Sequence, residues 1–146
     1  MKAAGILLVE DNQADAELTI RALRTRHLAN EIVCVGDGAA ALEFVFASGQ
    51  FVDRAGEPMP LLVILDNRLP KIDGIDVLRR LRADARTMHL PVISMVSSNA
   101  ERDLIERCDL GANSIVVKPV EFEPFVEMVA QVGLSWMIVN PPPAAA

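Results

Sequence analysis

The chain has 146 residues, 51% of them hydrophobic, which suits one domain with a sizeable core and leaves no room for a second of ordinary size. Its formal net charge of -6 argues against a general binder of nucleic acid or membrane surfaces, which would carry an excess of Lys and Arg. The same acidity suits a soluble protein that holds a cation.

The opening run MKAAGILLVED reaches acidic residues too soon for a signal peptide, and no later apolar run approaches the roughly 20 residues of a membrane span. Ile6 to Val9 reads as a first strand. Ala14 to Arg26 follows as an amphipathic helix, with Leu18, Ile20, Ala22 and Leu23 among charges and Asp11 or Asn12 as its cap. Ile32 to Val35 is a second strand, broken by Gly36-Asp37-Gly38 before a helix from Ala39 to Ala47. The Gly-, Pro- and charge-rich stretch Ser48 to Pro60 reads as a long surface loop. Five apolar residues, Leu61 to Leu65, then form a strand buried on both faces, running straight into Asp66. Further units are a helix from Ile75 to Ala83, a strand from Pro91 to Met95, and a helix from Asn99 to Leu110 that stops at Gly111. Ile115 to Val117 is a fifth strand, and Glu121 to Val139 a last helix with a break expected at Gly133. Cys34 and Cys108 lack metal-ligand spacing, so a reduced, cytoplasmic setting is expected.

Five β-then-α units in series predict an α/β, flavodoxin-like doubly wound fold: a five-stranded parallel sheet of order 2-1-3-4-5 with helices on both faces. Residues 1–139 are expected to form this single domain and 140–146 a flexible tail.

In a parallel sheet the carboxyl ends of all strands point one way, and ligands bind there. The residues after strands one, three and five are Glu10-Asp11, Asp66 and Lys118-Pro119, so three carboxylates and one ammonium would share a pocket. Such acids repel unless a cation lies between them. An all-oxygen cluster suits magnesium, which keeps several waters and often a phosphoryl oxygen. One carboxylate would remain free to attack phosphorus, with Lys118 offering a point charge to the acyl phosphate. Taken singly, each residue has a plainer reading: a helix-capping acid, a turn Asp, a solvated lysine.

The stretches LLVEDN (Leu7 to Asn12), LDNRLPKIDG (Leu65 to Gly74) and VVKP (Val116 to Pro119) together resemble a receiver domain of two-component response regulators, over about residues 5 to 130. The resemblance implies that Asp66 is the phosphoacceptor and that Glu10 and Asp11 are the acidic pair around magnesium, with Asp11 a direct ligand. It gives the backbone carbonyl of Arg68 the third metal-ligand position, makes Lys118 the phosphoryl-contacting lysine, and implies a cis bond to Pro119.

Two positions depart from the family pattern. The usual Thr or Ser at the end of strand four is Val96, which lies 30 residues after Asp66 and 22 before Lys118. A valine donates no hydrogen bond, so either the usual switch is lost or Ser97 takes it over; alternation of faces along a strand favours loss, although the Ser97 backbone N–H remains available to a phosphoryl oxygen. The usual aromatic partner is Ile115. Phosphotransfer is therefore expected to persist while transmission to an output face works differently.

The last segment is apolar nearly all round, and its surplus, with Phe122, Phe125, Trp136, Met137 and Ile138, is expected to be covered by a second copy or by its own domain. The long loop before strand three, KPVEFEPF and GLSWMIVNPPP are similar to the small stand-alone regulators paired with bacterial and cyanobacterial phytochromes. That likeness implies a cytoplasmic homodimer phosphorylated by a light-sensing histidine kinase, the bacteriophytochrome, with no nucleic-acid or membrane partner and no enzymatic output. Two other readings compete. One is a pseudo-receiver scaffold that has abandoned the switch at Val96 and Ile115. The other is an aspartate-nucleophile phosphohydrolase, which needs a general acid where Arg68 stands.

Overall fold

Hydrophobic pattern and strand ends decide the architecture seen in the computed structural model, which describes residues 5–25, 31–118 and 121–139, with 132–139 by backbone alone. The strands are β1 (Ile6–Val9), β2 (Ile32–Val35), β3 (Leu62–Asp66), β4 (Val92–Val96) and β5 (Ser114–Val117). They make one parallel sheet in the order β2-β1-β3-β4-β5, the predicted topology. The helices are α1 (Gln13–Thr25), α2 (Gly38–Phe46), α3 (Gly74–Ala83), α4 (Asn99–Cys108) and α5 (Phe122–Val139).

Alternation along β1 and β3 sorts side chains between two cores. Leu7, Val9, Val63 and Leu65 pack with Leu42, Val45, Val77 and Leu81 of α2 and α3. Ile6, Leu8, Leu62 and Ile64 pack with Leu23 of α1 and with Phe125, Val126 and Val129 of α5. Continuing that alternation past the strand ends aims Glu10 and Asp66 to the same side, where α1 begins.

Several boundaries differ from the sequence reading. Asp66 lies inside β3 as its final residue, in register with Met95 of β4. The stretch expected as an open loop folds into a 3₁₀ segment (Gly49–Arg54) because it carries its own apolar anchor. Phe51 meets Phe44 edge-on with ring centroids 5.2 Å apart. Arg54 stacks over the same ring and donates to the carbonyls of Phe44 and Pro58. Helix α4 ends at Cys108, since Asp109 takes the left-handed capping conformation two residues before Gly111. Helix α5 runs through Gly133 without a break.

Phe125, expected at an interface between copies, is 3% exposed and packs against the sheet of its own chain. The side chains of Phe122, Trp136, Met137 and Ile138, the bond to Pro119 and the tail 140–146 lie outside the described residues.

Candidate phosphoryl and metal site

Three strand ends build the site. Asp66 is 5% exposed and Glu10 4%, both carried by central strands whose other side chains are core. Lys118 follows β5 and is fixed by its N–H donating to the Val96 carbonyl at 2.8 Å. Its Nζ donates to Glu10 Oε1 at 2.6 Å, Asp66 Oδ2 at 3.2 Å and Asp15 Oδ2 at 3.3 Å. Glu10, Asp11 and Asp66 each offer a carboxylate oxygen within 4.8 Å of the others. The structure thus brings together the residues the sequence singled out. It adds Asp15, which the sequence reading missed. Asp15 stands in the first turn of α1 and meets Lys118 only once that helix lies beside the strand ends, so spacing alone did not mark it.

The loop after Asp66 is held tightly. Asn67 N–H donates to the Met95 carbonyl at 2.9 Å, and Gly74 N–H donates to the Asn67 carbonyl at 2.9 Å. A Cβ at Gly74 would sit 2.2 Å from the Asp66 carbonyl oxygen, so only glycine lets α3 begin against the strand end. Arg68 N–H points to Asp66 Oδ1 at 3.4 Å. Its guanidinium turns outward to Glu101, with Nε 3.1 Å from Oε1 and 3.4 Å from Oε2. Arg68 cannot serve as the general acid of a phosphohydrolase, because a guanidinium does not give up its proton.

Val96 is fully buried and Ser97 exposed. The Ser97 N–H points to Glu101 Oε1 at 3.4 Å. Glu101, not singled out in the sequence, sits third in the first turn of α4, whose cap Ser98 accepts its N–H at 3.2 Å. The pattern Ser98-x-x-Glu101 is a capping-box signature that could have flagged it.

Electrostatics fit a bound cation. Glu10's carboxyl is pushed up to about 7, first by burial and then by its closeness to Asp66, with Lys118 opposing. Burial alone would lower the Lys118 ammonium. The hydrogen bond to Glu10 and the charges of Asp66 and Glu10 outweigh it and raise the group instead. Three carboxylates meet one ammonium and Asp11 lies close to two of them, an excess of negative charge that an oxygen-seeking divalent ion would balance.

A doubly wound sheet with this acid cluster and lysine at its carboxyl edge defines a receiver domain. The chain belongs to the response regulator receiver domain family, which matches residues 6–130. It is similar to the bacteriophytochrome response regulator RtBRR, at 42% identity and a TM-score of 0.84, over 97% of this chain and 86% of that one. It is 32% identical to response regulator Rcp1 of Synechocystis sp. (strain ATCC 27184 / PCC 6803 / Kazusa), over 96% of this chain and 93% of that protein. The Mn2+-bound form of Rcp1 superposes with a TM-score of 0.75, over 97% of this chain and all of that one, at 31% identity. The phosphorylated cyanobacterial phytochrome response regulator RcpA gives the same TM-score, identity and coverage. Among the described residues no helix is long and apolar enough to cross a membrane.

Proposed function

We propose that Asp66 accepts a phosphoryl group from the phosphohistidine of a sensor kinase, and that the protein signals through contacts it makes in that state. The observation that carries this reading is Lys118 Nζ, 3.2 Å from Asp66 Oδ2 amid a converging set of carboxylates. A nucleophilic carboxylate must be ionised and oriented. Lys118 holds one oxygen of Asp66 and the Arg68 N–H approaches the other. Glu10, Asp11, Asp66 and the backbone carbonyl of Arg68 would hold Mg2+, which supplies charge withdrawal from the phosphoryl oxygens when bound. Lys118 then follows the phosphoryl group as a fixed positive charge.

Likeness to regulators named for phytochromes supports a bacteriophytochrome as the kinase. A cytoplasmic homodimer is part of the same proposal. With Phe125 committed to its own core, such an interface would draw on the rest of α5, with Phe122, Trp136, Met137 and Ile138 as candidates. The buried Val96 favours one second reading, a scaffold that never takes phosphate.

Incubation with acetyl phosphate and magnesium, followed by intact mass measurement, separates the two. The receiver reading expects one phosphate adduct that Asp66→Asn abolishes. Absence of an adduct leaves the scaffold. Size-exclusion chromatography with light scattering tests the dimer, which a monomer with and without phosphate would refute.

A further inference from the structure

Arg68 and Glu101 are 33 residues apart in the chain, yet their side chains meet, while the Arg68 backbone N–H approaches Asp66 Oδ1 at 3.4 Å. Arg68 belongs to the loop after β3, and Glu101 to the first turn of α4. Arg68 is largely exposed, with 73% of its side chain accessible, whereas Glu101 is 12% accessible, so the contact seats the acid rather than the base.

What Glu101 occupies matters more than its partner. Its Oε1 faces the Ser97 N–H. That donor stands two residues past Met95, and Met95 is the register partner of Asp66, so it emerges beside the phosphoacceptor at the sheet's carboxyl edge. Val96 supplies no hydroxyl to a group on Asp66, so the donor that β4 offers there, beside Lys118 from β5, is a backbone N–H. That N–H is already taken by a carboxylate, an anion of the kind that a phosphoryl oxygen would replace.

We infer that Glu101 and Arg68 form a displaceable anion latch on the Asp66 site. In the resting protein the Glu101 carboxylate fills the Ser97 amide. A phosphoryl group on Asp66 takes that amide, expels Glu101 by like-charge repulsion, and frees both Arg68 and the first turn of α4. The inference rests on Asp66 being the phosphoacceptor. In the transfer from acetyl phosphate, a bond forms between phosphorus and a carboxylate oxygen of Asp66. The bond from phosphorus to the acetate oxygen breaks, and acetate leaves with that electron pair. The new group carries close to two negative charges and three acceptor oxygens, so it outcompetes a single carboxylate for the amide. The latch transmits the event through α4 without the missing hydroxyl and aromatic.

The test uses the full chain with acetyl phosphate and magnesium. Glu101→Gln keeps the shape and the capping acceptor but removes the repelling charge. It is expected to acquire the adduct about tenfold faster than wild type, the effect of losing one charge-assisted competitor. Independently of any variant, the assigned Ser97 amide resonance of the wild-type chain is expected to shift on phosphorylation. The Arg68 Nε resonance should move with it. Equal labelling rates together with an unmoved Ser97 amide would overturn the latch while leaving the receiver reading intact. No adduct on either protein would overturn the receiver reading, and the latch with it.

Discussion

Replacing Lys118 with Met keeps an unbranched apolar stem and removes the ammonium from the acid cluster. In the wild-type protein that ammonium reaches Glu10, Asp66 and Asp15 at 2.6, 3.2 and 3.3 Å. Glu10 and Asp66 are buried, and stripping the partner from a buried charge costs about 3–5 kcal/mol. Asp15 is half-exposed and adds little. Glu10 has an escape, because it can take up a proton, so the cost shrinks at acid pH. Metal-free Lys118→Met is therefore expected to lose about 3 kcal/mol at pH 8, and less near pH 5.5. A divalent cation stabilises by mass action, by about 2.7 kcal/mol at a hundredfold excess over its dissociation constant, so added magnesium should return most of the loss. Urea unfolding followed by circular dichroism, in EDTA and in magnesium, reads both effects as midpoint shifts at constant slope. A metal-free midpoint at pH 8 within about 0.5 kcal/mol of wild type would show that Lys118 does not balance these acids, and would remove the electrostatic basis of the site.

Three other outcomes follow from particular contacts. Glu10 holds its proton up to about 7 in the folded chain against an ordinary 4.5, so its contribution to stability is full below 4.5 and is lost as pH rises to 7. In metal-free protein that window spans about 3 kcal/mol at 1.36 kcal/mol per unit, and Glu10→Gln should flatten it; parallel curves for the two proteins would refute the assignment. Gly74→Ala pushes a methyl group to 2.2 Å from the Asp66 carbonyl, so about 1–3 kcal/mol of stability should be lost and Asp66 labelled more slowly. Gly36→Ala meets nothing within 4 Å and serves as the control. Arg82 donates to the carbonyls of Leu90, Leu110 and Gly111 at 2.7, 2.8 and 2.9 Å, tying the loops before β4 and β5 to α3. Arg82→Ala should cost about 2–4 kcal/mol in a urea titration, and Arg82→Lys should recover only part, since one ammonium cannot span three acceptors in a fork.

Much of this protein was legible along the chain. The unbroken apolar run into Asp66 announced a central strand, because a strand covered on both faces has no polar alternation to confuse it. Serial β-then-α units gave the topology, since right-handed crossovers leave few alternatives. Glu10, Asp66 and Lys118 were readable as neighbours for the same reason: strand ends in a parallel sheet converge whatever their separation in sequence. Less was legible where a side chain's partner comes from elsewhere. Ser48 to Pro60 has the composition of a loop, and the packing of Phe51 and Arg54 on Phe44 folds it. Phe125 has the look of an interface residue until the sheet covers it.

Local pattern by itself therefore determined the strands, their order and the acids at one edge, because burial and backbone handedness act through spacing alone. Packing decided what those acids touch. Asp15 joins Lys118, and Glu101 reaches Ser97 and Arg68, only after α1 and α4 are laid against the sheet. Such contacts depend on distances of a few ångströms between segments far apart in the chain, which no period in the sequence encodes.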